Sequence, residues 1–156
     1  MTEQNKYLRS VETKSTRTNN LQNKTQVREF NFTIDEPEKL GGTNLAPTPM
    51  EYILGSLSGC LMIVIEMVAN EKEISIENLE VSAHGEIDKR GLKGTADVSP
   101  YFQTAQLDIV LNLADKERNL TDLIEEVTRR CPAYNLFKDT SCEIKLNWKI
   151  NEEVAG

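Results

Sequence analysis

The sequence predicts an α+β fold in which β-strands wrap around a long buried central helix. Three observations predict it. Short alternating segments at residues 7–17 and 30–34 precede one long apolar stretch, from Thr48 to Asn70. Two more alternating segments, 76–87 and 106–112, follow that stretch. An amphipathic segment then leads to a last alternating strand at 142–150. The strands and helices thus come in runs rather than in regular βαβ alternation, which is the α+β pattern. At 156 residues the chain is expected to be a single domain, residues 1–156, that buries about 70% of its unfolded surface.

Residues 1–6 are polar, read as a frayed end, and carry no signal-peptide pattern. Tyr7, Val11, Thr13 and Ser15 share one parity with Arg17, which predicts a strand. Residues 19–24 have turn composition. Phe30, Phe32 and Ile34 alternate as a second strand, with Arg28 on their side. Asp35 to Glu38 ends it, and Gly41-Gly42 opens a loop. Thr48 then caps a helix, Pro49 takes its first position, and Glu51 stands three residues after the cap, a capping box. Between Met50 and Val68 only Glu51 and Glu66 are charged, and a helix apolar nearly all round is a buried one. Its uncharged run, 52–65, is 14 residues with four Gly or Ser. That is short of the roughly 20 a bilayer requires, so no membrane span is expected.

The helix should end near Asn70-Glu71-Lys72. Ile76 to Ile87 reads as a strand with Leu79, Val81 and Ala83 on one face and His84 on the other. Asp88 to Gly91 reads as a turn, and 106–112 as a strand. Asp115 is expected to cap a second helix, whose Leu120, Leu123, Ile124, Val127 and Cys131 form one apolar stripe. Pro132 closes that helix and starts a short third one through Phe137. Cys142, Ile144, Leu146, Trp148 and Ile150 share the inner face of the last strand.

Composition removes several functional classes. The net charge is −7 and the basic residues are scattered, so nucleic acid is not an expected partner. Three cysteines without a C-x-x-C pair do not make a secreted disulfide framework, and a single histidine argues against zinc. No metal or cofactor is expected, and the setting expected is the reducing cytoplasm.

The cysteines are the remaining chemistry. Cys60 lies mid-helix beside Ser56, Leu57, Ile63 and Val64. It reads either as a small buried hydrophobe or as a nucleophile that needs a cation from elsewhere. Arg17 and Arg28 are the candidate cations. Cys131 is drawn inward by its stripe. It is pushed out of helical geometry by Pro132 and so falls at the start of the next helix, where the dipole lowers a thiol pKa. A cysteine that merely occupies the junction is the other reading. Cys142 reads as core.

Two motifs taken together carry a resemblance. A-P-T-P-M-E-Y-I-L-G-S-L-S-G-C runs into the apolar helix, and R-R-C-P-A-Y follows at a helix junction, with 71 residues between the two cysteines. From about Thr16 to Ile150 the chain resembles the OsmC/Ohr family. The resemblance implies an OsmC-like fold and an intertwined homodimer whose central helices pack together, with Gly55 and Gly59 permitting close approach. It implies a thiol-dependent peroxidase for organic hydroperoxides, with Cys60 as peroxidatic and Cys131 as resolving cysteine. Arg17 (or else Arg28) would stabilise the thiolate, and an external dithiol would be the reductant. Peroxidase members carry a glutamate directly after the helix-starting proline; here that position is Met50, and Glu51 falls about 180° from Cys60 around the helix. The departure keeps open a second function on the same scaffold, a non-catalytic small-ligand-binding or redox-sensing protein.

Overall fold

The computed structural model describes residues 6–152, so the expectation for residues 1–5 lies outside the described residues. The chain divides into two compact units, residues 1–52 and 53–156.

The first unit is an antiparallel sheet of β1 (Lys14–Arg17), β2 (Asn23–Val27) and β3 (Phe30–Ile34), in that order. β1 is shorter than its alternation suggests. Tyr7 and Val11 lie outside any strand and are exposed, as are all four residues of β1. Parity makes a strand only where a ladder partner exists, and the register with β2 begins at Lys14. The turn before β2 is also shorter than expected, closed by Thr18 and Asn19 N–H groups that both donate to the Gln22 carbonyl. Arg28 lies outside β3 and does not extend its alternation. Val27 pairs with Phe30, so Arg28-Glu29 is a two-residue hairpin loop, with Arg28 at φ 52°. Such loops need left-handed backbone to match strand twist.

The loop after β3 is organised by Asp35, which is fully buried. Its carboxylate accepts from the Thr43 hydroxyl, the Gln22 side-chain amide, and the N–H groups of Glu36, Thr43 and Leu45. Gly41 takes φ 97°, and a Cβ on Gly42 would collide with the Glu36 carbonyl. Only glycine fits either condition. The loop ends in the expected capping box. The Thr48 N–H donates to Glu51 Oε2 at 2.7 Å, and the Glu51 N–H donates to Thr48 Oγ1 at 3.3 Å. From there α1 runs Pro49–Glu71.

In the second unit, α1 lies against a sheet of β4 (Ile76–Ile87), β5 (Phe102–Leu113) and β6 (Glu143–Ile150). Between β4 and β5 stands α2 (Lys89–Lys93), capped by Asp88, where a simple turn was expected. β4 and β5 are antiparallel; β5 and β6 are parallel. A parallel pair requires a crossover, and α3 (Thr121–Arg130) with α4 (Pro132–Lys138) supplies it. Leu107, Ile109, Leu111 and Leu113 of β5 meet Leu57, Leu61, Ile65 and Val68 of α1 in one apolar cluster, closed by Leu123, Val127 and Cys131. Each such fully buried side chain contributes about 1.5–3 kcal/mol.

Two expectations in this unit are corrected. Asp115 does not cap α3. Its carboxylate accepts the Glu117 N–H within a turn, and α3 starts at Thr121, held by the Asn119 side chain. The apolar α1 is also not buried all round. Leu57, Leu61, Val64, Ile65, Val68 and Ala69 are buried, whereas Ile53, Ile63 and Met67 are 45%, 63% and 48% exposed. One sheet covers one face of a helix, and among the described residues no element after residue 52 covers Ile53, Ile63 and Met67. Among the described residues α1 is the one helix long and apolar enough to cross a bilayer, and its buried face lies against the sheet.

Candidate active site

The α1 helix presents Cys60 at its middle, at the border of its buried and open faces, so the thiol is partly exposed. The apolar stripe of α3 carries Cys131 into the core, where it is fully buried. Its Sγ is 3.8 Å from Cys60 Sγ. Both thiols are free. A disulfide bond is about 2 Å long, so the two sulfurs are in contact and not bonded.

The break between α3 and α4 fixes how Cys131 stands. Cys131 leaves helical geometry at φ −69°, ψ 110°, as expected of the residue before a proline. It closes α3 through its N–H to the Val127 carbonyl and caps α4 through its sulfur, which accepts the Tyr134 N–H at 3.5 Å. The expected lowering of its pKa does not follow. Burial dominates and pushes the Cys131 thiol up; the Tyr134 N–H opposes this, and the neighbouring Cys60 adds to it. Cys131 is therefore a protonated thiol at neutral pH. Cys142 stands just before β6 rather than in it as expected, and it is buried and likewise pushed up by burial.

Three features of this region were not read from the sequence. The Asn135 side-chain amide donates to the carbonyls of Thr128 at 3.0 Å, Arg129 at 3.3 Å and Cys131 at 2.8 Å. Its signal was available: Pro132 has no N–H, so the Thr128 carbonyl loses its helical donor and something must replace it. The second is Arg130, which grips Glu71 with two nitrogens at 2.5 and 2.8 Å and so ties the end of α3 to the end of α1. Arg130 holds the Glu71 carboxyl below its ordinary range. Nothing in local sequence pairs residues 59 apart. The third is the small apolar set of Ala133, Tyr134 and Phe137 on α4, which packs against the core beside the thiols.

The thiol pair stands wholly within residues 53–156. Arg17 and Arg28 belong to residues 1–52. Arg28 is engaged locally, over the Phe30 ring at 4.9 Å and 3.8 Å from Glu29. Arg17 is exposed, and among the described residues it forms no ion pair. Met50 is partly buried, and Glu51 is occupied by the cap. No cluster of metal-ligating side chains occurs among the described residues.

Comparison with known proteins places the chain in a family. The profile of the family described as OsmC-like protein matches residues 42–147. A protein named hydroperoxide reductase from Mycoplasma genitalium is 27% identical over 130 residues, covering 81% of this chain and 82% of that one. The crystal structure of an OsmC-like protein from Mycoplasma pneumoniae superposes with a TM-score of 0.78 at 18% identity, covering 92% and 99% of the two chains. An organic hydroperoxide resistance protein from Legionella pneumophila superposes with a TM-score of 0.66 at 18% identity, covering 92% and 99%. At these identities the structures establish the shared fold.

Proposed function

The chain belongs to the OsmC-like protein family, and from that premise we propose that it is a thiol-dependent peroxidase that reduces organic hydroperoxides. The observation that carries the reading is the 3.8 Å separation of the Cys60 and Cys131 sulfurs. The name of the Mycoplasma genitalium relative supports the same chemistry.

The roles divide by burial. Cys60, partly exposed, meets the hydroperoxide; Cys131, buried and protonated, does not compete for it. The Cys60 thiolate attacks the terminal peroxide oxygen, the O–O bond breaks, and the alcohol leaves after gaining a proton. Cys60 is then a sulfenic acid. The Cys131 sulfur attacks the Cys60 sulfur, and the hydroxyl leaves with the Cys131 proton as water, giving the disulfide. An external dithiol returns two electrons and two protons by thiol–disulfide exchange. Arg17 is the proposed stabiliser of the Cys60 thiolate, because Arg28 is held in a hairpin loop by its own neighbours. Residues 1–156 act as one OsmC-like domain, in a homodimer whose central helices meet through the open face of α1. A side-chain carbon placed on Gly55 or Gly59 of this helix would meet nothing within 4 Å, so a second helix finds room there. The fold is that of a soluble family with α1 as its core helix, and free thiols fit a cytoplasmic setting.

The test is consumption of cumene hydroperoxide with dithiothreitol as the reductant. Cys60→Ser is expected to abolish turnover, and Cys131→Ser to leave a sulfenic acid on Cys60 that dimedone traps. Turnover undiminished in Cys60→Ser rules the assignment out. A redox-sensing reading is favoured by one observation, Met50 where peroxidase members carry an acid. It predicts stoichiometric disulfide formation without repeated turnover in the same assay.

A further inference from the structure

The junction between α3 and α4 has one acceptor too many. Pro132 cannot donate, so the Thr128 carbonyl, four residues earlier, has no helical partner. The chain then kinks at Cys131, and the last carbonyls of α3 point past the end of their own helix. One side chain gathers them. The Asn135 amide nitrogen lies 3.0 Å from the Thr128 carbonyl oxygen, 3.3 Å from that of Arg129 and 2.8 Å from that of Cys131. The Asn135 backbone N–H also donates to the Cys131 carbonyl, at 3.1 Å. Asn135 therefore grips the chain on both sides of the Cα that carries the Cys131 sulfur.

We propose that Asn135 is the positioning residue for the resolving thiol: its amide holds the α3–α4 junction so that Cys131 stands within reach of Cys60. The proposal rests on the reading of Cys131 as the resolving cysteine. Asn135 does not touch the reacting sulfurs. It acts through the backbone of Cys131, whose sulfur is also held by the Tyr134 N–H. Cys60 sits on a different helix, packed by its own contacts, so its reaction with hydroperoxide does not depend on this grip. Losing the amide separates two steps that a general loss of stability would slow together.

The three substitutions that test this differ in donors rather than bulk. Asn135→Ala removes the donor. Asn135→Asp keeps the shape but sets a carboxylate, with no N–H, against three carbonyls. Asn135→Ser restores one donor, because a helical serine bonds the carbonyl four residues back, here that of Cys131. The experiment is a single turnover with one equivalent of cumene hydroperoxide. Loss of the free Cys60 thiol times the first step, and loss of the dimedone-reactive sulfenic acid times the second. In Asn135→Ala and Asn135→Asp the first step is expected to keep its rate. The second should slow about ten- to a hundred-fold, the scale on which a misplacement near 1 Å acts. Asn135→Ser should recover part of the loss.

Circular dichroism at the assay temperature identifies the folded variants, and Asn135→Ser is the mildest if the others do not fold. Condensation at the wild-type rate in a folded Asn135→Ala or Asn135→Asp overturns the proposal, and so does equal slowing of both steps. If the wild-type protein itself forms no Cys60–Cys131 disulfide, the peroxidase reading fails, and the positioning role fails with it.

Discussion

At the scale of the residue, the sulfurs were visible as candidates but their meeting was not. A separation of 71 residues carries no distance. The stripe Leu120, Leu123, Ile124, Val127, Cys131 showed only that Cys131 points inward, and it does. The pairing came from the resemblance of two motifs. The sign of the Cys131 shift was misjudged because a local rule, the helix start, was applied without the burial that outweighs it. Asp35 shows the opposite balance. The Thr43 hydroxyl, followed by the N–H groups of Leu45, Thr43 and Glu36, outweighs burial and holds its carboxyl well below the usual carboxylate range.

That depression has a stability consequence with a definite sign. The unfolded carboxyl titrates near an ordinary pKa of about 3.9. The folded form titrates lower, so the Asp35 contribution is fully present above that value. It is lost as the pH falls through it toward the folded pKa. Asp35→Asn is therefore expected to lower the urea midpoint at pH 7, and the deficit should shrink steadily between about pH 4 and pH 2. A deficit that is flat across that range would show that the carboxylate charge is not what the loop requires.

At the scale of the element, the start of α1 and both limits of β4 were read to the residue, because a capping box and a bounded alternation are local signals. The shortened β1 and the hairpin loop at Arg28 were not, because strand limits depend on a ladder partner elsewhere in the chain. Asp115 was misassigned as a cap for a related reason. An aspartate satisfies any nearby N–H, and here a turn takes it before Asn119 and Thr121 begin α3. The α1 cap itself invites measurement. Thr48→Ala removes the acceptor for the Glu51 N–H and is expected to cost about 1 kcal/mol, read from urea unfolding. Glu51→Gln should retain most of the box, since glutamine also reaches back to the Thr48 N–H. A loss in Glu51→Gln as large as that in Thr48→Ala would mean that the charge of Glu51 contributes as much to the helix start as the hydrogen bond to Thr48.

At the scale of the whole molecule, the difference between the apolar sequence of α1 and its burial is the informative result. The sequence makes both faces apolar, while the second unit buries one of them. A row of Ile53, Ile63 and Met67 exposed on a helix of a soluble family is an incomplete surface. The space over Gly55 and Gly59 is open, and contiguous exposed apolar surface of this kind marks an interaction site. The homodimer proposed above would bury the apolar residues that one chain leaves open. Ile63→Glu places a charge in the middle of that face without disturbing the buried side of the helix. If the face is the dimer contact, the substitution should weaken association by about 2 kcal/mol or more. That is roughly thirty-fold in dissociation constant, measurable by sedimentation velocity across a dilution series. The fold should survive, because Leu57, Leu61, Ile65 and Val68 still meet the sheet. A wild-type protein that sediments as a monomer at micromolar concentration would remove the dimer, and the exposed face of α1 would then need a different occupant.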